Sequence, residues 1–385
     1  MKGLVLDAAW DPRPGYALSD WERKTRTAIS GHNIWRHPKL SVREWEEPKV
    51  GPRDVLLGIK ACGVCGSDMH FYETDKDGYI LYPGLTRFPT ILGHEFSAEV
   101  LEIGPEVTSL RPGDMVTVEE MIWCGHCVNC RNGFPNHCSN LEEIGFTIPG
   151  AFAERIAVDE KYCWKIDAIA ERFGDQARAY EVGALTEPTT VSYNAMFPRA
   201  GGFFPGQYVC VYGAGAIGLA AAGLARAGGA GIVAVFETSP QRRALAEKIG
   251  ADHVYDPLAV NPSEVLMELS KGEGFDFFVE AAGVPNITVP QMLRALAINA
   301  KIVQIGRAAR EVPMYLETLQ VRRAQVFGAQ GHSGDANFPN VIRLVASGRL
   351  DLSPIITARY ALDNAVDAIA RSGDRKDGKI LVKPN

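Results

Sequence analysis

The sequence predicts an α/β chain in two parts: a β-rich domain, followed by a doubly wound parallel sheet. Three observations predict this. Short β-like runs separated by Gly and Pro fill the first half, at 55–59, 98–101, 114–118 and 152–156. From about Gln207, apolar strands at 208–212, 232–236, 275–280 and 301–306 alternate with helices at 241–249 and 289–298 and an alanine-rich segment after Gly218. Continuously apolar strands alternating with helices mark a parallel sheet covered on both faces. Finally, 385 residues exceed what one ordinary hydrophobic core holds.

After Gly331 the pattern returns to a helix at 340–346 and a strand at 378–382, which can rejoin the first domain. The expected organisation is therefore a discontinuous β-rich domain of residues 1–188 and 333–385, carrying a lobe at 119–140, around a parallel-sheet domain of residues 189–332. Hydrophobic residues at 46% and charged residues at 22% argue against long disorder. A net charge of −6 without a basic block lacks the electrostatic footprint of a nucleic-acid binder. The opening strand, 1–7, is too short for a signal segment and soon meets Asp11-Pro12-Arg13-Pro14. The most apolar stretch, 219–235, is broken by Gly223, Arg226, Gly228, Gly229 and Gly231, so it does not read as a membrane span. The cytoplasm is the expected location.

The glycine turn after the first apolar strand of the second half, Gly213-Ala214-Gly215-Ala216-Ile217-Gly218, is a G-x-G-x-x-G that opens a helix. Alone the pattern is weak; its place between strand and helix makes it a dinucleotide fingerprint. Gly213 permits the tight turn, Gly215 lets backbone approach a pyrophosphate, and Gly218 lets helix and strand pack. The helix start at Ala216 and Ile217 offers N–H groups to phosphate. Glu237 ends the next strand, 19 positions after Gly218, where an acid accepts the ribose hydroxyls and repels a 2′-phosphate. This favours NAD. Arg242 and Arg243 read as solvated helix residues that could offset the preference, and Arg242 is kept among the candidate cofactor contacts.

Of eight cysteines, Cys124, Cys127, Cys130 and Cys138 crowd one loop as C-x2-C-x2-C-x7-C. Four thiolates saturate tetrahedral zinc and leave no open position, so this site reads as structural, with His126 surplus. A nucleic-acid zinc ribbon would separate two knuckles by about 15–20 residues, which this loop does not. A second, scattered set comprises Cys65, His94 and Glu187. Thiolate, imidazole and carboxylate together leave a zinc position open to a reacting oxygen. Spacing alone does not separate His94 as a ligand from His94 as a packed core residue.

Gly63-Val64-Cys65-Gly66-Ser67-Asp68, Gly93-His94-Glu95, the four-cysteine lobe and the glycine turn, in this order over essentially the whole chain, resemble the zinc-containing medium-chain alcohol/polyol dehydrogenase family. The resemblance implies a GroES-like catalytic domain around a Rossmann domain, two zinc ions per subunit, and a homo-oligomer, tetramer favoured over dimer. It implies that Cys65 and His94 hold the catalytic zinc, with Glu187 or Glu95 as the third ligand, as in sorbitol-type enzymes. Ser67 would take the alcohol proton and His70 pass it to solvent, while Asp68 orients His94. Hydride would pass to the nicotinamide. Gly66 departs from simple alcohol dehydrogenases, which often place a basic residue there to grip pyrophosphate.

A loop with the sequence Phe71-Tyr72-Glu73-Thr74-Asp75-Lys76-Asp77-Gly78-Tyr79-Ile80-Leu81-Tyr82-Pro83-Gly84 follows His70, and its aromatics and acids suit a hydroxyl-rich ring. A narrower resemblance, to family members that oxidise a keto-inositol, runs through 77–92, 119–127, 133–138, 187–189, 321–325 and 331–334. It extends to Trp10-Asp11-Pro12-Arg13-Pro14 and Trp35-Arg36, which most members lack. The expected substrate is therefore a cyclitol or related polyol, with Glu120, His332 and Arg322 as candidate substrate contacts. An open-chain polyol or vicinal diol is the alternative. A zinc-free enone or quinone reductase is opposed by Cys65, His94 and Glu187, and a non-catalytic binding protein by Ser67, Asp68 and His70.

Overall fold

The computed structural model describes residues 1–308 and 310–384. The chain divides into two compact units. One comprises Met1–Glu187, Ala358–Asp374 and the chain from Ile380; the other comprises Pro188–Thr357 and Arg375–Lys379.

In the first unit, Asp54–Gly63 is the organising strand. Val55, Leu57, Ile59 and Ala61 are buried, while residues between them are partly exposed, the two-residue period of a strand with one face in the core. It pairs antiparallel with Glu95–Ile103, with Arg155–Asp159, and with Lys379–Lys383 at Leu381–Gly63 and Val382–Cys62. Leu4, Leu6, Phe71, Phe96, Phe146 and Phe152 pack into the same core. Trp35–Glu44 pairs with Lys2–Trp10 as the edge of a three-stranded sheet. The sequence does not announce this strand, because Pro38 and alternating charges suit an edge and mask the apolar period.

The second unit is a parallel sheet in the order His253–Tyr255, Ile232–Phe236, Tyr208–Tyr212, Phe275–Glu280, Leu296–Gln304, Gln325–Gly328 among the described residues. Numbered along the chain this is 3-2-1-4-5-6, the doubly wound order of a dinucleotide-binding fold. Tyr212, Phe236, Phe275, Phe278 and Ile302 form its buried centre. Two boundaries differ from expectation. The helix expected at 289–298 runs Pro285–Leu293, because Pro285 suits a first helical turn. Leu296 already pairs with Phe275, so the following strand begins early. Residues 333–357, expected with the first domain, fall in the second unit. Their leucines explain this: a Cβ on Gly223, inside the helix Ala216–Ala227, would meet Leu350 at 2.9 Å and Leu352 at 3.2 Å. Among the described residues no helix is long and apolar enough to cross a membrane.

Candidate active site and metal centres

The organising strand of the first unit delivers Cys65 to the N-cap of the helix Gly66–Tyr72. Asp68 folds back and accepts the Cys65 N–H at 2.8 Å, fixing the cap. His94 comes from another element, just before Glu95–Ile103. Gly93 makes its seat: φ is +92°, and a Cβ there would meet Phe152 at 2.7 Å and Cys62 Sγ at 2.9 Å. Only glycine fits. The ligand atoms of Cys65, His94 and Glu95 then lie within 4.8 Å of one another.

The electrostatics of this cluster are those of a cation site. His94 Nδ1 is 3.8 Å from Asp68 Oδ1. Burial opposes charging the imidazole, yet Asp68, Cys65 and Glu187 raise its pKa well above 6.5. His94 Nδ1 and Ser67 Oγ are both buried without a hydrogen-bond partner. A buried polar atom left unmade costs about 1–3 kcal/mol; Asp68 faces His94 Nδ1, and the Ser67 orphan points to a bound group. A softer thiolate, an imidazole and a carboxylate, converging with no fourth ligand in the set among the described residues, fit zinc with an open position. Glu187 begins the helix Thr186–Asn194 and is buried; its charge acts on His94, but it is not part of the converging set. Ser67 and His70 stand on the helix that Cys65 caps.

The four lobe cysteines converge equally closely, within 4.8 Å. Cys127 Sγ and Cys138 Sγ are 3.9 Å apart. A disulfide needs sulfurs about 2.05 Å apart, whereas zinc–sulfur bonds of about 2.3 Å set tetrahedral sulfurs about 3.8 Å apart. Backbone N–H groups of Cys124, Cys127, Cys130 and Asn140 point at the sulfurs, at 3.3–3.5 Å. The Asn140 side chain and neighbouring N–H groups lower the Cys124 thiol to about 5, and the Cys130 and Ser139 amides lower Cys127 to about 7. Burial pushes Cys130 up to about 12. Hydrogen bonds to sulfur thus favour the thiolate at Cys124 and Cys127, while burial opposes it at Cys130 and Cys138. His126 is exposed, its Nδ1 3.0 Å from the Cys124 carbonyl, outside the sulfur set.

In the second unit the glycine turn follows Tyr208–Tyr212, beside Phe275–Glu280, where the strand order reverses. Gly213 has φ +90° and packs against Ala282 Cα, which a Cβ would meet at 2.8 Å; a Cβ on Gly218 would meet the Gly213 carbonyl at 1.8 Å. At Gly215, by contrast, the nearest atom is Arg242 Nη1 at 3.9 Å, leaving backbone open to a ligand. Gly215 caps the helix Ala216–Ala227 with no side-chain hydrogen bond, so its first N–H groups have no side-chain cap. This cradle fits a pyrophosphate. Glu237 is buried beside it, accepting from Ala214 N–H at 2.7 Å and Ser239 N–H at 2.7 Å.

Arg242 and Arg243 are half-buried and engaged rather than freely solvated. Arg242 Nε donates to the Asp377 carbonyl at 2.9 Å, and burial draws its guanidinium below the usual range. Arg243 donates to the carbonyls of Glu237 and Thr238, both at 2.8 Å, and meets Asp256 at 3.2 Å. Their place after Pro240 in a helix suggests solvated residues; instead Arg243 bonds the chain at Glu237 and Thr238, and Arg242 bonds Asp377. Glu120 is buried in the first unit, while His332 and Arg322 belong to the second. Sequence reasoning missed Phe146, which packs on His94 at 4.8 Å, and Tyr82, which packs on Phe146 at 5.4 Å. An aromatic distant in the chain carries no local signal of such a contact.

The two halves match two known families: the alcohol dehydrogenase GroES-like domain at residues 51–168, and the zinc-binding dehydrogenase at residues 216–347. Scyllo-inosose 3-dehydrogenase of Thermotoga maritima is 44% identical over 382 residues, 96% of each chain. L-threonine 3-dehydrogenase of Thermococcus kodakarensis is 33% identical, over 89% of this chain and 94% of its own. A solved Thermotoga maritima structure described as an alcohol dehydrogenase superposes with a TM-score of 0.96 at 43% identity, covering 99% of both chains. Matched along both units, the chain belongs to the zinc-binding medium-chain alcohol dehydrogenase family and is a nicotinamide-dependent oxidoreductase acting on alcohol carbons.

Proposed function

We propose that this enzyme moves hydride between a secondary alcohol carbon of a cyclitol or sugar-like polyol, of the inosose or inositol type, and NAD. The carrying observation is the 44% identity with scyllo-inosose 3-dehydrogenase over 96% of the chain. The loop after His70 supports it by its place, since its Leu81 and Tyr82 amides bond the catalytic helix at the His70 carbonyl. Threonine is the substrate in the next relative's name, at lower identity. A place in inositol breakdown, in the cytoplasm, accords with this reading, as does a homotetramer.

Cys65, His94 and Glu95 would hold the catalytic zinc, with Glu187 as the alternating acid; the convergence of the first three supports Glu95. Cys124, Cys127, Cys130 and Cys138 would hold a second, structural ion. When bound, zinc acidifies an alcohol and NAD accepts hydride. The chain's own residues do the rest. Asp68 holds both the Cys65 amide and the His94 ring in place. Ser67 Oγ, buried and unpartnered, accepts the alcohol proton and hands it towards His70, whose ring releases it to solvent. Gly213, Gly215 and Gly218, with the amides of Ala216 and Ile217, seat the pyrophosphate, and Arg242 lies against this turn. Glu237 selects NAD by repelling a 2′-phosphate.

The test is NADH formation against inositols, inososes, sugars, linear polyols, threonine and simple alcohols. The proposal requires the highest kcat/KM on an inosose or inositol. A maximum on linear polyols or threonine overturns the substrate reading and leaves the reaction class standing.

A further inference from the structure

The N-terminal segment, residues 10–37, is fastened onto the loop that follows His70, and two arginines make the fastening. Arg13 donates from Nε to the His32 carbonyl at 2.9 Å, forms an ion pair with Asp75, and lays its guanidinium 3.9 Å from the centre of the Tyr79 ring. Arg36 donates to the Asp77 carbonyl at 2.7 Å, pairs with Asp11 at 2.9 Å, and sits 5.2 Å from the same ring. Asp75 is the hub of the loop's own turn: its other oxygen accepts the Asp77 N–H at 2.9 Å and the Tyr79 N–H at 3.1 Å. Backbone bonds join the two segments as well, His37 N–H to Gly78 at 2.9 Å and Gly31 N–H to Gly84 at 3.0 Å.

The clamped loop ends on the catalytic helix. The N–H groups of Leu81 and Tyr82 donate to the His70 carbonyl at 2.9 and 3.1 Å. A chain of aromatic contacts makes a second connection. Trp10 meets Trp35 at 5.0 Å, Trp35 meets Phe88 at 5.1 Å, Phe88 meets Phe71 at 5.8 Å, Phe71 meets Phe146 at 5.1 Å, and Phe146 meets His94 at 4.8 Å. Edge-on aromatic pairs of this kind fix geometry as well as burying area.

We propose that the Arg13–Asp75–Tyr79 clamp is a substrate-specificity device: the N-terminal segment holds the loop after His70 in one shape, as a fixed wall for a polyhydroxylated substrate. It acts through the loop, so Arg13, Asp75 and Tyr79 are positioning residues. A loop that must be ordered on binding loses affinity to that ordering, and a loop held in advance does not. The clamp therefore acts on substrate KM and on the preference for a polyol over a small alcohol. It leaves the NAD turn and the hydride step alone. This rests on the polyol reading for the kind of substrate, but not for the existence of the wall.

The experiment compares the unaltered enzyme with Arg13→Ala, Tyr79→Ala and the conservative Tyr79→Phe. Each is assayed on propan-2-ol and on whichever polyol the unaltered enzyme oxidises best. Both alanine variants should raise polyol KM about tenfold or more. They should lower the polyol to propan-2-ol ratio of kcat/KM in step, with NAD KM and bound zinc unchanged. Tyr79→Phe keeps the ring and should behave as the unaltered enzyme. Asp75→Asn, which removes the ion pair at nearly constant shape, should reproduce the loss if an alanine variant fails to fold. A lower melting midpoint with polyol KM and selectivity unchanged overturns the proposal, as does an equal rise in NAD KM. The substrate panel on the unaltered enzyme tests the cyclitol reading separately.

Discussion

His94 illustrates how a few residues convert a packed core position into a candidate ligand. Gly93 turns the chain, Phe146 covers the ring, and Asp68 addresses Nδ1 from a helix cap that also fixes Cys65. Replacing Asp68 by Asn should therefore weaken catalytic zinc about 10–100-fold, the usual cost of losing a partner behind a metal ligand; titration with a competing chelator reads it. The third ligand is decided by a pair of variants. Glu95→Gln should release one zinc per subunit and abolish turnover, whereas Glu187→Gln should keep the metal; zinc analysis that gives the reverse assigns Glu187. Ser67→Ala should keep zinc and NAD binding and lower kcat roughly a hundredfold or more, the scale of losing a positioned proton acceptor. The lobe cysteines and the glycine turn are legible in the sequence because each motif sits in one short stretch, whereas Cys65 reads as a ligand only by resemblance. The Asp68–His94 approach is legible only by resemblance, since 26 positions separate the two.

At the scale of elements, ion pairs pin the first unit. Glu181, on the helix Gln176–Gly183, receives two bonds from Arg359 at 2.7 and 2.8 Å and one from Lys383 at 3.2 Å. Arg359, with Lys383 and against burial, holds its carboxyl below 4.5. A carboxylate with a lowered folded-state pKa adds stability above its unfolded pKa and loses it as pH falls through the folded one. Melting midpoints should thus fall as pH drops below the ordinary carboxylate range, and Glu181→Gln should flatten that acid limb. In the four-cysteine lobe, Cys130→Ser should lower zinc by one per subunit and the melting midpoint by roughly 5–10 °C, because metal binding there is folding free energy. Strands such as Phe275–Glu280 are legible in the sequence because apolar runs survive any context. The short edge strands His253–Tyr255 and Gln325–Gly328 are not, since three or four residues carry no period.

Across the whole molecule, the candidate sites are divided: the first unit gathers the proposed metal ligands, and the second carries the glycine turn. The sequence order of motifs was enough to read this division, and the family matches bear out the fold class. Two features resisted. The amphipathic helix Asn337–Ala346 declares which of its faces is buried but not which unit buries it, so 333–357 was expected on the wrong side of the boundary. The clamp of Arg13 on Asp75 joins segments some 60 positions apart (|i−j| = 62) and has no local signature at all.

The central claim, that turnover depends on a zinc held by Cys65 and His94, is tested most directly by metal removal and return. The enzyme is stripped at this site with a chelator under conditions that leave the lobe zinc bound, and NADH formation is followed as zinc is added back. Activity should vanish on stripping and return in proportion to zinc, saturating at one equivalent per subunit, with Cys65→Ser showing no recovery. Full activity in enzyme proven to lack that zinc would contradict the account.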